Sequence, residues 1–174
     1  MTDTTSNTAT TATPTVATPT PASNYALYRT AAYKGQPAGY VIAAQMLTDP
    51  AKVSLPAGFA YALDAAKNYA VGSIYTPATD YTLTGATTAT AGTALTLDLT
   101  PNNDGPTGDV TVTLSDGGAG GTFSSSTATF SGCTKTVQTV TYTPKAAGTV
   151  TISSTNSGSL TNPVSLSVTV SAAA

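Results

Sequence analysis

Histidine, glutamate and tryptophan are absent from this chain of 174 residues, and cysteine occurs once. Each absence excludes a class of chemistry. Without histidine there is no imidazole base and no histidine-ligated metal. A single thiol, Cys133, excludes an intrachain disulfide, a cysteine zinc site and a cysteine-ligated iron–sulfur cluster. Charge is scarce too, with six basic and eight acidic residues and a net charge of −2. Six scattered cations make no phosphate-neutralising patch, so no nucleic-acid partner is expected. No apolar run approaches the roughly 20 residues that span a bilayer, so no membrane span is expected. Met1-Thr2-Asp3-Thr4-Thr5-Ser6 has neither the basic start nor the apolar core of an export signal. The expectation is a protein made in the cytoplasm and released from it.

What the chain does have is threonine, its commonest residue. A β-branched side chain is stiff in helices and fits a pleated surface, so this composition points to a mainly β protein.

Composition divides the chain into three. Residues 1–24 are rich in threonine and proline (Pro14, Pro19, Pro21), and their one charge is Asp3. Such a segment cannot form a core, so it reads as an extended arm that becomes ordered only along a neighbouring subunit. Residues 25–80 hold seven of the nine tyrosines: Tyr25, Tyr28, Tyr33, Tyr40, Tyr61, Tyr69 and Tyr75. They also hold Arg29, Lys34, Lys52 and Lys67, and are broken often by glycine and proline. Residues 41–47 read equally as a buried strand or a short helix. Residues 60–70 read as weakly helical, with Leu63, Ala66 and Tyr69 at compatible spacing. Tyrosine joins an apolar ring to a polar tip, which suits protein interfaces. The seven tyrosines are therefore interface candidates in an anchoring and assembly region, the alternative being a small aromatic core.

Residues 81–174 alternate with period two. Leu95, Leu97 and Leu99 are separated by Thr96 and Asp98; Val110, Val112 and Leu114 by Thr111 and Thr113. Val140 and Tyr142, Val150 and Ile152, and Leu166, Val168 and Val170 repeat the pattern against Thr141, Thr151, Ser167 and Thr169. Further strands are expected near 81–86 and 128–131. Short alternating runs separated by turn residues mean half-buried strands, and seven of them suit an immunoglobulin-like sandwich. Asn102-Asn103-Asp104-Gly105, the glycine-rich run 117–121, Pro144 to Gly148 and Asn162-Pro163 supply the turns.

Tyr81-Thr82-Leu83-Thr84-Gly85, Val110 to Gly118, Gly120-Gly121-Thr122-Phe123, Tyr142-Thr143-Pro144, Ala147 to Ser153 and Leu160-Thr161-Asn162-Pro163 together carry a resemblance. Over residues 81–174 the chain resembles the immunoglobulin-like modules of bacterial surface proteins and of tailed-phage virion decoration and fibre proteins. The resemblance implies an antiparallel β-sandwich and brings no catalytic residues with it. The cysteine pair and core tryptophan of antibody domains are missing here.

The remaining constellations are weak. The run 117–121 lacks the lysine of a phosphate loop and lies between strands. Asp98, Asp104, Asp109 and Asp116 suit turns and strand ends, since calcium would need six or more oxygens to converge. Ser124-Ser125-Ser126 has no histidine base, and Cys133 has no partner base either. No cofactor and no catalytic or metal-binding residue is assigned.

An immunoglobulin-like module usually works outside cells, yet no export signal is legible. Release by lysis as part of a particle reconciles the two. The expected function is a structural virion protein of a tailed bacteriophage, a capsid decoration or head-fibre protein anchored by residues 1–80. Its expected partners are the major capsid protein or other virion subunits, with a second copy of itself and host-surface carbohydrate as further candidates. The alternative is a bacterial surface or secreted adhesion module.

Overall fold

The structure, a computed structural model, describes residues 20–174. The arm expected over residues 1–24 lies outside the described residues up to position 19. Thr20, Pro21 and Ala22 are exposed, and Ser23 and Asn24 already belong to the first strand.

The tyrosine-rich region forms a three-stranded antiparallel sheet. Its strands are β1 (Ser23–Arg29), β2 (Val41–Leu47) and β3 (Phe59–Leu63), in the order β2-β1-β3. The ambiguous segment 41–47 is therefore a strand. The expected helix over 60–70 is not: Phe59-Ala60-Tyr61-Ala62-Leu63 is strand β3, and turns follow it. Large residues alternate there with alanine, a period of two that outweighs the three-residue spacing of Leu63, Ala66 and Tyr69. Buried Asp64 ends the strand. Its carboxylate accepts the amides of Asn68 at 2.7 Å and Tyr69 at 3.0 Å, while its carbonyl accepts from Lys67 at 2.9 Å. That side-chain-to-backbone turn gives the amides an alternative to a helical ladder.

Residues 81–174 form two facing sheets. The first contains β4 (Tyr81–Gly85), β6 (Leu95–Pro101), β10 (Gln138–Thr143) and β8 (Thr122–Phe123), in the order β4-β6-β10-β8. The second contains β5 (Thr88–Thr90), β12 (Leu166–Ser171), β11 (Gly148–Asn156), β7 (Val110–Ser115) and β9 (Thr127–Phe130), in the order β5-β12-β11-β7-β9. All pairings are antiparallel except β5 on β12. This is an immunoglobulin-like β-sandwich.

The alternation fixes its register. Leu97, Val112, Tyr142, Ile152 and Val168 are each 0% exposed, whereas Thr96, Thr111, Thr141, Thr151 and Thr169 are exposed. Slipping any strand by one residue would put its threonines in the core. Each fully buried aliphatic side chain contributes about 1.5–3 kcal/mol relative to exposure. The buried polar groups are matched: Tyr81 Oη lies 2.9 Å from Ser154 Oγ and donates to Asn162 at 3.1 Å. The Tyr142 hydroxyl donates to Asp116 at 3.0 Å and ties the glycine-rich loop to β10.

The two cores meet at one end of the sandwich. The inner face of the small sheet contributes Ala26, Tyr28, Val41 and Ala62 to a core that also contains Tyr75 and the sandwich residue Cys133. Tyr75 donates to the Gly105 carbonyl at 3.0 Å, and the amides of Leu63, Ala78 and Cys133 bond to Thr107, Gly105 and Pro106. Thr76 and Asp104 exchange two further bonds, at 2.7 Å and 3.0 Å. The small sheet is thus clamped to the loop at 102–108.

Candidate interaction surface

Because one face of the small sheet is spent on this junction, alternation turns the other face outward. Tyr25, Leu27 and Arg29 of β1 lie opposite Leu63, Tyr61 and Phe59 of β3, and opposite Gln45 and Ala43 on the β2 side. Tyr25 and Tyr61 meet edge-on, with ring centres 6.2 Å apart, and both are half-buried. The Tyr61 hydroxyl donates to Gln45 Oε1. Leu27 sits beneath these side chains, 9% exposed, and is not part of the inner core. The result is a compact aromatic face pointing away from the sandwich.

Arg29 extends this face at one end. Its Nε donates to Gln36 Oε1, and its guanidinium carbon lies 4.9 Å from the ring centres of both Tyr33 and Phe59. Tyr33 and Gln36 exchange backbone bonds of 2.8 Å and 3.0 Å around Lys34 and Gly35. Both turn residues have positive φ, +46° and +81°, as a two-residue type I′ hairpin requires.

The seven candidate tyrosines therefore divide. Tyr25, Tyr33 and Tyr61 come together on the outward side, and Tyr33 is 51% exposed. Tyr28 and Tyr75 belong to the inner core, their rings 5.2 Å apart, and Tyr69 packs against Tyr75 at 5.1 Å. Tyr40 is half-buried at its bridge to Ile74. Sequence reasoning missed Arg29, Phe59 and Leu27 as members of the face. The alternation of Phe59, Tyr61 and Leu63 with Ala60 and Ala62 was the signal that could have found Phe59.

Elsewhere the polar groups perform structural tasks. Burial, with Asp64 nearby, pushes the Cys133 thiol up to about 12, so it stays protonated at neutral pH. Burial and Asp116 push the Tyr142 hydroxyl up to about 12. Burial alone would raise Asp116, but the amides of Gly121 and Gly118 and the Tyr142 hydroxyl outweigh it and hold the carboxyl below its usual range. Asp98 accepts from Thr139, Asp104 from Thr76 and Asp109 from Gly132. Among the described residues no three metal-ligating side chains gather, and no helix is long and apolar enough to cross a membrane.

No protein-family model matches the chain, and no curated protein matches it. Solved structures do match in part. The D00-D0 domain of intimin aligns with 56% of this chain and 50% of its own length, at 21% identity and a TM-score of 0.38. The CARDB domain of a Pyrococcus furiosus protein, in complex with two metal ions, aligns with 57% of this chain and 95% of its own length, at 17% identity and a TM-score of 0.38. The chain thus spans half the length of the intimin structure. At such scores the sandwich assignment rests on strand order and register.

Proposed function

We propose that the chain is a non-enzymatic attachment and display protein. The small sheet docks through its outward face to a larger assembly, and the sandwich projects from it. One observation carries this reading: a sheet whose inner face already supplies its own core still presents Tyr25, Tyr61 and Phe59, each half-buried, on the opposite side. Aromatic side chains that bury area at little entropic cost are typical interface anchors. The sandwich, by contrast, turns Thr96, Thr111, Thr141, Thr151 and Thr169 to solvent and needs no partner to close its core.

The finer reading is a tailed-phage virion protein, a capsid decoration or head-fibre protein that docks to the major capsid protein or another virion subunit. The second reading is a bacterial surface or secreted adhesion module, favoured by the hydroxyl-rich faces that could meet carbohydrate. Quantitative mass spectrometry of fractionated lysate and cells separates them. The virion reading expects the polypeptide in sedimented particles at constant ratio to their shell protein. Recovery with the cell envelope or medium, and none in particles, overturns the virion reading in favour of adhesion.

A further inference from the structure

We infer that the cleft beside Arg29 is a carboxylate pocket, which takes an aspartate or glutamate side chain of the protein to which the small sheet docks; this rests on the attachment reading above. The cleft holds about 370 Å³ and is lined by Arg29, Ala31, Ala32, Tyr33, Ala57 and Phe59.

The guanidinium in it has three fixed neighbours. Tyr33 and Phe59 each lie 4.9 Å from its central carbon, and Gln36 occupies its Nε. The two terminal Nη groups have no hydrogen-bond partner among the described residues. The one ion pair among those residues joins Lys52 to Asp49, so none of the described carboxylates pairs with Arg29. A second cation is close by, Lys34 Nζ lying 5.1 Å from the centre of the same Tyr33 ring.

A planar, always-charged fork packed on two rings matches one ligand geometry best: two coplanar oxygens carrying one negative charge. The alanine walls suit the methylenes of an acidic side chain. A phosphate would bring nearly twice the charge and call for more cations than the cleft offers. Charge balance points the same way. Between residues 25 and 80 the four cations Arg29, Lys34, Lys52 and Lys67 outnumber the three carboxylates Asp49, Asp64 and Asp80, so an acidic partner surface is complementary. The pocket is also preorganised. The Lys34-Gly35 hairpin sets one wall, and the bond from the Thr30 amide to the Gly58 carbonyl, 2.9 Å, sets the other.

The test is an NMR titration of the full chain, labelled with ¹⁵N, with N-acetyl-glutamate N-methylamide. The neutral glutamine analogue, inorganic phosphate and glucuronate serve as comparisons. The expected result is saturable movement of the Arg29 Nε–H signal and of the Ala57, Gly58 and Phe59 amides with the glutamate compound. The glutamine analogue should bind at least about tenfold more weakly. Arg29→Lys should lose the response while the amide signals of the sandwich stay in place, because the charge survives but the fork does not. Equal response to the glutamine analogue, movement spread evenly over all cations, or tighter binding of phosphate or glucuronate would overturn the assignment. Attachment separates this inference from its premise. If Arg29→Gln attaches as wild type does while Tyr25→Ser/Tyr61→Ser does not, the pocket fails and the attachment face stands. If both variants attach normally, both fail.

Discussion

Replacing Tyr75 probes the junction between the two cores. Its side chain is fully buried, packs edge-on against Tyr28 and Tyr69 with ring centres 5.2 Å and 5.1 Å away, and donates to Gly105 O. That carbonyl also accepts the Ala78 amide at 2.8 Å, so Tyr75→Phe leaves it with a partner. The cost should be that of one net hydrogen bond, about 0.5–1.5 kcal/mol. Tyr75→Ala removes the ring itself. Truncating a buried aromatic costs about 3–5 kcal/mol, and each lost edge-to-face pair is worth about 0.5–1.5 kcal/mol beyond its area. The expected loss is therefore near the top of that range, about 4–5 kcal/mol. Urea titration at neutral pH, followed by far-ultraviolet circular dichroism and by tyrosine fluorescence, measures both variants. The two probes should shift together, since the ring joins the small sheet to the sandwich loop. A loss below about 1 kcal/mol for Tyr75→Ala would refute the shared core.

Three further outcomes follow from the geometry. Val112→Ala should cost about 1–4 kcal/mol and Thr111→Ala about 0.5 kcal/mol or less; equal shifts in denaturant midpoint would contradict the register. At Gly121 an added Cβ would lie 2.2 Å from the Tyr142 hydroxyl and 2.4 Å from its ring. That ring is fully buried against Phe123, so Gly121→Ala should cost about 1–3 kcal/mol by overpacking, and an unchanged Tm would count against it. Stability should also fall on the alkaline side. Folded Cys133 and Tyr142 hold their protons to about 12, whereas their ordinary values are 9.0 and 10.0. Above pH 9 the unfolded chain binds fewer protons than the folded one, so unfolding becomes easier up to about pH 12. With no histidine to titrate, the curve should be nearly flat from pH 5 to 8. A midpoint in urea that rises between pH 9 and 11 would contradict this assignment.

The sandwich was legible because its strands are strict. Leu97, Val112, Ile152 and Val168 recur against threonines, and a single buried face leaves one register. Strands β5 and β8 were not legible. They span three and two residues, too few for a period, and β5 is defined by its parallel partner β12. The small sheet was half legible. Tyrosine enrichment marked the region, but the choice between interface and core depends on which face each ring takes. Tyr28 is inward and Tyr25 outward because β1 alternates, and that sense is set by packing on Cys133, far away in sequence. The stacking of Arg29 on Phe59 likewise needs β1 and β3 to be neighbours, which no local pattern states.

The central claim is that the outward aromatic face attaches the protein to its assembly. Co-sedimentation of the full chain and of Tyr25→Ser/Tyr61→Ser with particles lacking the protein, at low and high salt, tests it most directly. Tyr25, Tyr61 and Phe59 are uncharged and Arg29 is half-buried against two rings, so high salt should weaken wild-type attachment without releasing it, unlike a contact made only by exposed ion pairs. The double variant should keep its folded sandwich, read from circular dichroism, and stay in the supernatant. Sedimentation of the variant with wild-type efficiency, or release of the wild type by salt, would contradict the account.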